Sequence, residues 1–295
     1  MNHVLVLGAT GMLGFAVHRT LHDAGAKVTG AVREIPSSDQ RWAQGLSYVE
    51  SGDLANATRL ERLLRGGGWN VVINCIAEKK GTEDAPGSRL HALNVKLPAT
   101  LGRLTAEIDA PLVHFSTDAV FLGTSGAPFG ETDAPMREGL DAYASSKLAG
   151  EQSGPRALTI RTSMIGIAPV RPVGMLPWIL SADGPVVQGY ANYWFTGLPV
   201  TEIARFLAKI VMASDPVPHG LLHLPGPAIS KYELLRLCIR EWGRTDLTLE
   251  AIERPIVDLR LRSVHERADS STAADWPSML HRLREFYDRH EVRID

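Results

Sequence analysis

Residues 8–14 read "GATGMLG" and follow directly on the apolar run "HVLVLG" (3–8), so three glycines fall where a buried strand would turn into a helix. This placement constrains the chain more than any other stretch, because each glycine then has a physical job. Gly8 permits the tight turn, Gly11 lets the oxygens of an anionic ligand approach the backbone, and Gly14 allows helix and strand to pack closely. The free N–H groups and dipole at the start of the helix favour a pyrophosphate. Thr10, Met12 and Leu13 share the turn and would line the same ligand.

The order of elements supports that reading. Apolar runs at 3–8, 27–32, 70–77, 111–116 and 157–163 read as strands. Between them, helical patterns are predicted at about 12–24, 56–65 and 88–108, with Pro98 disturbing the last, and around Tyr143. Wholly apolar strands separated by helices imply a parallel sheet covered on both faces. The expected fold class is α/β, a Rossmann-type doubly wound parallel sheet with a smaller C-terminal substrate lobe. Residues 1–163 would form the dinucleotide-binding domain. Residues 164–295, rich in Pro, Gly and aromatics at first, would be mainly the substrate lobe. Helices are predicted near 201–213 and 230–242, with an element from about 196–225 returning to the sheet.

Composition excludes several classes. A net charge of −2 over 295 residues provides no electrostatic footprint for nucleic acid or an anionic membrane. No apolar run approaches the ~20 residues that a membrane helix needs, and the chain opens on a strand pattern without a signal sequence, so a cytoplasmic protein is expected. Cys75 and Cys238, the only cysteines, lie in apolar surroundings and read as reduced core thiols. No cluster has metal-ligand spacing, so no metal is expected.

The second strand ends "GAVRE". A site selecting NAD usually has an acid there to accept the ribose hydroxyls. Arg33 at that place suits a 2′-phosphate instead, so NADPH is favoured, with NADH open because Glu34 is one step beyond. Asp53 could accept from an adenine amine, with Leu54 as an apolar wall, or could only cap the helix that follows. Ile76 and Ala77 end the third strand at the edge where the cofactor would lie. Lys79 and Lys80 just beyond could meet a sugar or its diphosphate, or be surface lysines.

"DAYASSK" (141–147) places Tyr143 one helical turn before Lys147, on one helix face. Spacing alone leaves two readings, a polar patch or a proton donor beside a cation. The combination of "GATGMLG", "HFSTDAVFLG" (114–123) and "YASSK" (143–147) resembles an extended short-chain dehydrogenase/reductase, and more closely the dTDP-4-dehydrorhamnose reductase group. Similarity continues through "IRTSMIG" (160–166), "NYWFTGLPVTEIARFL" (192–207) and "GLLHLPGPAISKYELLRL" (220–237), with "DSSTAADWPSML" (269–280) a weaker continuation.

The resemblance implies NADPH-dependent reduction of the 4-keto group of a nucleotide-linked 6-deoxyhexose, for surface polysaccharide synthesis. Tyr143 would be the general acid, and Lys147 would lower the phenol pKa and hold the nicotinamide ribose. Thr117 would hydrogen-bond the substrate oxygen, while Ser116 turns away or contacts the cofactor. Asp118 would assist the hydroxyl network or touch the sugar. Related sugar dehydratases carry a Glu where Ala119 stands, so dehydration is not expected. Ala119 and Leu122 also depart from the commonest reductase pattern, which leaves the sugar open. Asn192 and Trp194, with Tyr193 and Phe195, lie in a stretch suited either to the substrate or to plugging the lobe's core. The wider superfamily commonly dimerises through two helices per subunit, so a homodimer is an open expectation. Two other readings remain: a nucleotide-sugar epimerase retaining NAD, and a non-catalytic regulatory subunit such as that of methionine adenosyltransferase.

Overall fold

The computed structural model describes residues 3–79, 87–152, 154–265 and 274–293. β1 (His3–Leu7) leads through α1 (Met12–Asp23) to β2 (Lys27–Val32), and the short β3 (Tyr48–Glu50) leads through α2 (Ala57–Gly66) to β4 (Val71–Asn74). A helical stretch follows in three pieces: α3 (Arg89–His91), a π-helical turn (Ala92–Lys96) and α4 (Leu97–Glu107). β5 (Leu112–Ser116), α5 (Ala142–Ala149) and β6 (Ala157–Arg161) complete the first half. Next come β7 (Met164–Ile165), α6 (Met175–Leu180), β8 (Val186–Tyr190), β9 (Tyr193–Phe195), β10 (Leu198–Pro199) and α7 (Val200–Met212). The last elements are β11 (Gly220–His223), β12 (Ile229–Ser230), α8 (Lys231–Glu241), β13 (Thr248–Ile252), β14 (Val257–Asp258) and α9 (Trp276–Arg289).

Seven strands form one parallel sheet in the order β11-β6-β5-β4-β1-β2-β3. The winding direction reverses between β1 and β4, and ligands of such sheets bind outside the carboxyl ends at that point. Leu7 pairs with both Ala31 and Asn74, so the segments leaving β1, β2 and β4 share one edge. Strand residues alternate between two cores. Val4, Val6, Ile73 and Phe115 face the core that contains α1 and α7, whereas Leu5, Leu7, Val72 and Leu112 face the one that contains α2 and α4.

The second half returns to this sheet more than once. α7 packs along α1, and β11 pairs with β6 at the sheet edge. α9 lies on the same side, with the Phe286 ring 5.6 Å from that of Phe15 and the Tyr287 hydroxyl accepting from the Ile167 N–H. The remaining strands form small sheets, β12-β9-β14, β13-β8 and β10-β7, with α8 packed on β8 and α6 packed on α8.

Two local departures from the sequence pattern have physical reasons. β3 is a three-residue edge strand without a fully buried position, so it shows no apolar run. The helical stretch 88–108 is broken because Pro98 has no N–H to offer the Asn94 carbonyl four residues back, and the backbone widens into the π turn just ahead of it. Among the described residues no helix is long and apolar enough to cross a membrane.

Candidate active site

The glycine turn is built as its spacing requires. Gly8 has φ +75°, a conformation that L side chains avoid, and its N–H donates to the Ala31 carbonyl at 3.2 Å. A Cβ on Gly14 would stand 2.1 Å from the Gly8 carbonyl oxygen, so α1 leaves the strand closer than any side chain permits. α1 starts after Gly11 with no side-chain cap and no acid in its first turn, among Thr10, Met12 and Leu13. Its first N–H groups are therefore offered to an anion, and the turn fits a dinucleotide pyrophosphate. Ile76 completes the wall, its Cγ1 3.0 Å from where a Cβ on Gly8 would be, and Ala77 follows it, exposed at the same edge.

Arg33 leaves β2 exposed at that edge, and its charge acts on Asp53. Leu54 is buried against the α2–α4 core. Asp53 does not cap α2: Asn56 does, accepting from Thr58 and Arg59 N–H at 3.0 and 3.2 Å. The Asp53 carboxylate instead takes the Ala55 N–H at 3.0 Å and the Arg89 guanidinium at 2.8 Å. Arg89 holds it below the usual carboxylate range.

The candidate catalytic groups begin at the far end of β5. Ser116 turns away from the site: its hydroxyl donates to Glu151 at 2.7 Å, and Glu151 also binds Arg161 by two bonds of 2.8 Å. Thr117 begins a 3-10 turn, its hydroxyl accepting from Ala119 N–H and donating to Asp118, both at 3.2 Å. The other Asp118 oxygen accepts from Ser163 at 2.5 Å. Burial raises the Asp118 pKa against these bonds.

Asp141 caps α5, accepting from Ala144 N–H at 2.7 Å, and so sets the register that places Tyr143 and Lys147 on one face. The helix is held by Asn94, a buried residue of the π turn that the sequence reading missed. Its amide donates to Ser146 at 2.9 Å and to the Glu78 carbonyl at 2.8 Å, while its oxygen accepts from Glu78 N–H at 2.9 Å. One side chain thus ties the loop after β4 to the helix of the tyrosine. A polar residue on the buried face of an apolar helix was the available signal.

The electrostatics correct one expectation. Tyr143 is not lowered by Lys147: burial, with the carboxylates of Asp118 and Asp141, pushes it up to about 12. Lys147, only 2% exposed, is itself pushed down to about 8 by burial, with Glu151 pulling the other way. Beneath it lies His114, neutral in the core and bonded to the Asn74 amide at 3.1 Å. Burial penalises the phenolate and the ammonium alike.

The lobe residues divide between the two expected roles. The Asn192 amide is committed to Glu253, at 3.0 Å to its carbonyl and 2.8 Å to its carboxylate. Trp194 is 39% exposed, and Phe195 is in the core. Alternation along β9 puts Tyr193 on the side opposite Trp194. It is Tyr193, pushed up to about 12, that feels the charges of Asp118 and Asp141. Lys79 is exposed beyond β4; Lys80 and residues 269–273 lie outside the described residues.

Comparisons with known proteins identify the family. Over 170 residues the chain is 32% identical to a probable low-salt glycan biosynthesis reductase of Haloferax volcanii, covering 55% of this chain and 53% of the relative. It is 37% identical over 123 residues to a dTDP-4-dehydrorhamnose reductase of Mycobacterium tuberculosis, covering 38% of this chain and 39% of that protein. The chain thus spans about half or less of the length of these curated relatives. Its fold matches that of a Bacillus anthracis dTDP-4-dehydrorhamnose reductase crystallised with NADP, with a TM-score of 0.75 at 16% identity, over 98% of this chain and 99% of the other. A family model described as the RmlD substrate binding domain matches residues 1–258, from the glycine turn through β14, and the chain belongs to that family, in the extended short-chain dehydrogenase/reductase group.

Proposed function

We propose that this protein is an NADPH-dependent reductase of the 4-keto group of a nucleotide-linked 6-deoxyhexose, acting in the cytoplasm for surface polysaccharide synthesis. The observation that carries the reading is the packing of the turn after Thr117, with Asp118, against the helix of Tyr143 and Lys147, beside a sheet whose first turn suits a pyrophosphate. The activities named for the relatives support it.

When bound, the dinucleotide supplies a hydride to the carbonyl carbon. Gly8, Gly11 and Gly14 would hold its diphosphate on the backbone, with Arg33 placed for a 2′-phosphate. Thr117 has a hydroxyl at the end of β5 to orient the substrate oxygen. Tyr143, with a pKa of about 12, is fully protonated at neutral pH and gives its phenolic proton to the oxygen as the alkoxide develops. Lys147, buried one helical turn from Tyr143, would hold the nicotinamide ribose. Ala119 contributes only its N–H to Thr117, so no second acid–base side chain follows Asp118, which favours reduction over elimination of water. The complete Thr–Tyr–Lys set also speaks against a purely regulatory role.

The test is NADPH oxidation against a panel of dTDP-, UDP- and GDP-linked 4-keto-6-deoxy sugars. Consumption with at least one is expected, and Arg33→Ala should weaken NADPH about tenfold, the scale of one charge-assisted contact, while sparing NADH. Equal losses for both would remove the phosphate argument. Sugar interconversion with tightly retained NAD and no net oxidation would replace the reductase by an epimerase.

A further inference from the structure

Lys231, the first residue of α8, sets its ammonium 3.4 Å from the centroid of the Tyr193 ring and 5.9 Å from that of Tyr190. Strand pairing makes this meeting. β12 runs antiparallel to β9 with Ser230 opposite Trp194, so the next residue, Lys231, falls beside Tyr193. On the other side of β9, Val257 of β14 pairs with Tyr193, and Asp258 N–H donates to the Gly123 carbonyl at 2.8 Å. The loop that starts with Thr117 and Asp118 is therefore tied to the strand carrying Tyr193.

The cation is out of place for the helix. A lysine at a helix N-terminus meets the positive end of the dipole. Lys231 is half-buried and forms no salt bridge among the described residues. The charge of Asp118 acts on Lys231, on the Tyr193 phenol and on the Tyr143 phenol alike. The Tyr193–Lys231 pair thus lies within electrostatic reach of the same carboxylate as Tyr143, on a strand tied to the loop that follows Asp118. An ammonium and a phenol that donate, beside a carboxylate that accepts, match a sugar hydroxyl, which needs both kinds of partner. The carboxylate disfavours a phosphate at the same place.

We infer that Tyr193 and Lys231, together with Asp118, bind the hexose ring of the substrate through a hydroxyl close to the reacting carbonyl. This rests on the reductase reading for the identity of that carbonyl. Tyr193 and Lys231 then act as specificity residues: they touch the sugar and transfer no proton.

Tyr193→Phe keeps the ring under the ammonium and removes only the hydroxyl, and Lys231→Met keeps most of the stem and removes the charge. Calorimetry with the nucleotide-linked hexose that binds the wild type best should show about tenfold weaker affinity in each variant, with NADPH affinity and melting temperature unchanged. Nucleotide sugars lacking single ring hydroxyls complete the test. One deoxy analogue should bind the wild type weakly and lose nothing further in Tyr193→Phe, as expected when the two missing groups are partners. Unchanged sugar affinity in both variants, losses that add for every deoxy analogue, or a loss of NADPH affinity and melting temperature equal to that of sugar binding would each overturn the inference. Binding of the sugar without turnover in the wild type would remove the reductase reading and leave this calorimetric comparison valid.

Discussion

The two sides of the cleft are assembled by opposite means. On the sheet side the groups come from contiguous stretches: the glycine turn from residues 8–14, the hydroxyl and carboxylate from Thr117 and Asp118, the tyrosine and lysine from one turn of α5. On the lobe side, Tyr193 and Lys231 meet only because β9, three residues long, pairs with the two-residue β12. Local spacing carries the first arrangement, and any chain that forms the helix forms the pair. The second depends on short ladders that are stable only because the lobe packs around them.

The largest expected effect tests the sheet side directly. Tyr143→Phe should lower turnover by about a hundred- to ten-thousandfold, the range of a lost general acid, while NADPH binding by fluorescence titration stays near that of wild type. Near-normal turnover would move the proton donor elsewhere, and Tyr193 is the phenol that the structure places under the same carboxylates. Next in size is the turn. Gly14→Ala puts a Cβ 2.1 Å from the Gly8 carbonyl oxygen, a backbone atom that cannot swing aside. A cost of about 1–3 kcal/mol is expected from overpacking, read as a lower melting temperature and weaker NADPH binding. Gly66→Ala in α2, where nothing lies within 4 Å, is the control and should lower neither.

What was legible in the sequence follows the same division. The buried parallel strands announce themselves as apolar runs because both faces are covered, and the helices between them by their spacing. β3 escaped notice because it is short and half-exposed. Which of residues 192–195 face the candidate site was not legible, because the facing side of the three-residue β9 is set by its partners β12 and β14, which no local period reveals. Lys231 carries no local signal for the same reason. The Tyr143–Lys147 spacing was visible, but its effect on the phenol was misjudged, since burial and two carboxylates act on Tyr143 from segments that spacing cannot see.

The smallest expected effect decides which lysine titrates during turnover. Lys147 is held at about 8 against an ordinary value of 10.5, so its ammonium is fully present in mild acid and half lost near pH 8. Activity that needs the cation should fall to half there and about tenfold per further pH unit, because Tyr143 at about 12 remains protonated throughout. The sign for stability is opposite. A lysine whose folded pKa lies below its unfolded one binds fewer protons when folded between about 8 and 10.5, so its contribution to stability rises with pH across that window. The alkaline loss of activity should therefore appear without any loss of melting temperature owed to Lys147. Lys231 is also lowered by burial, and Lys231→Met separates the two: an alkaline limb that stays near pH 8 in this variant belongs to the lysine on α5. A limb that vanishes would transfer the essential cation to the lobe and erase the distinction between a catalytic pair and a sugar-binding one.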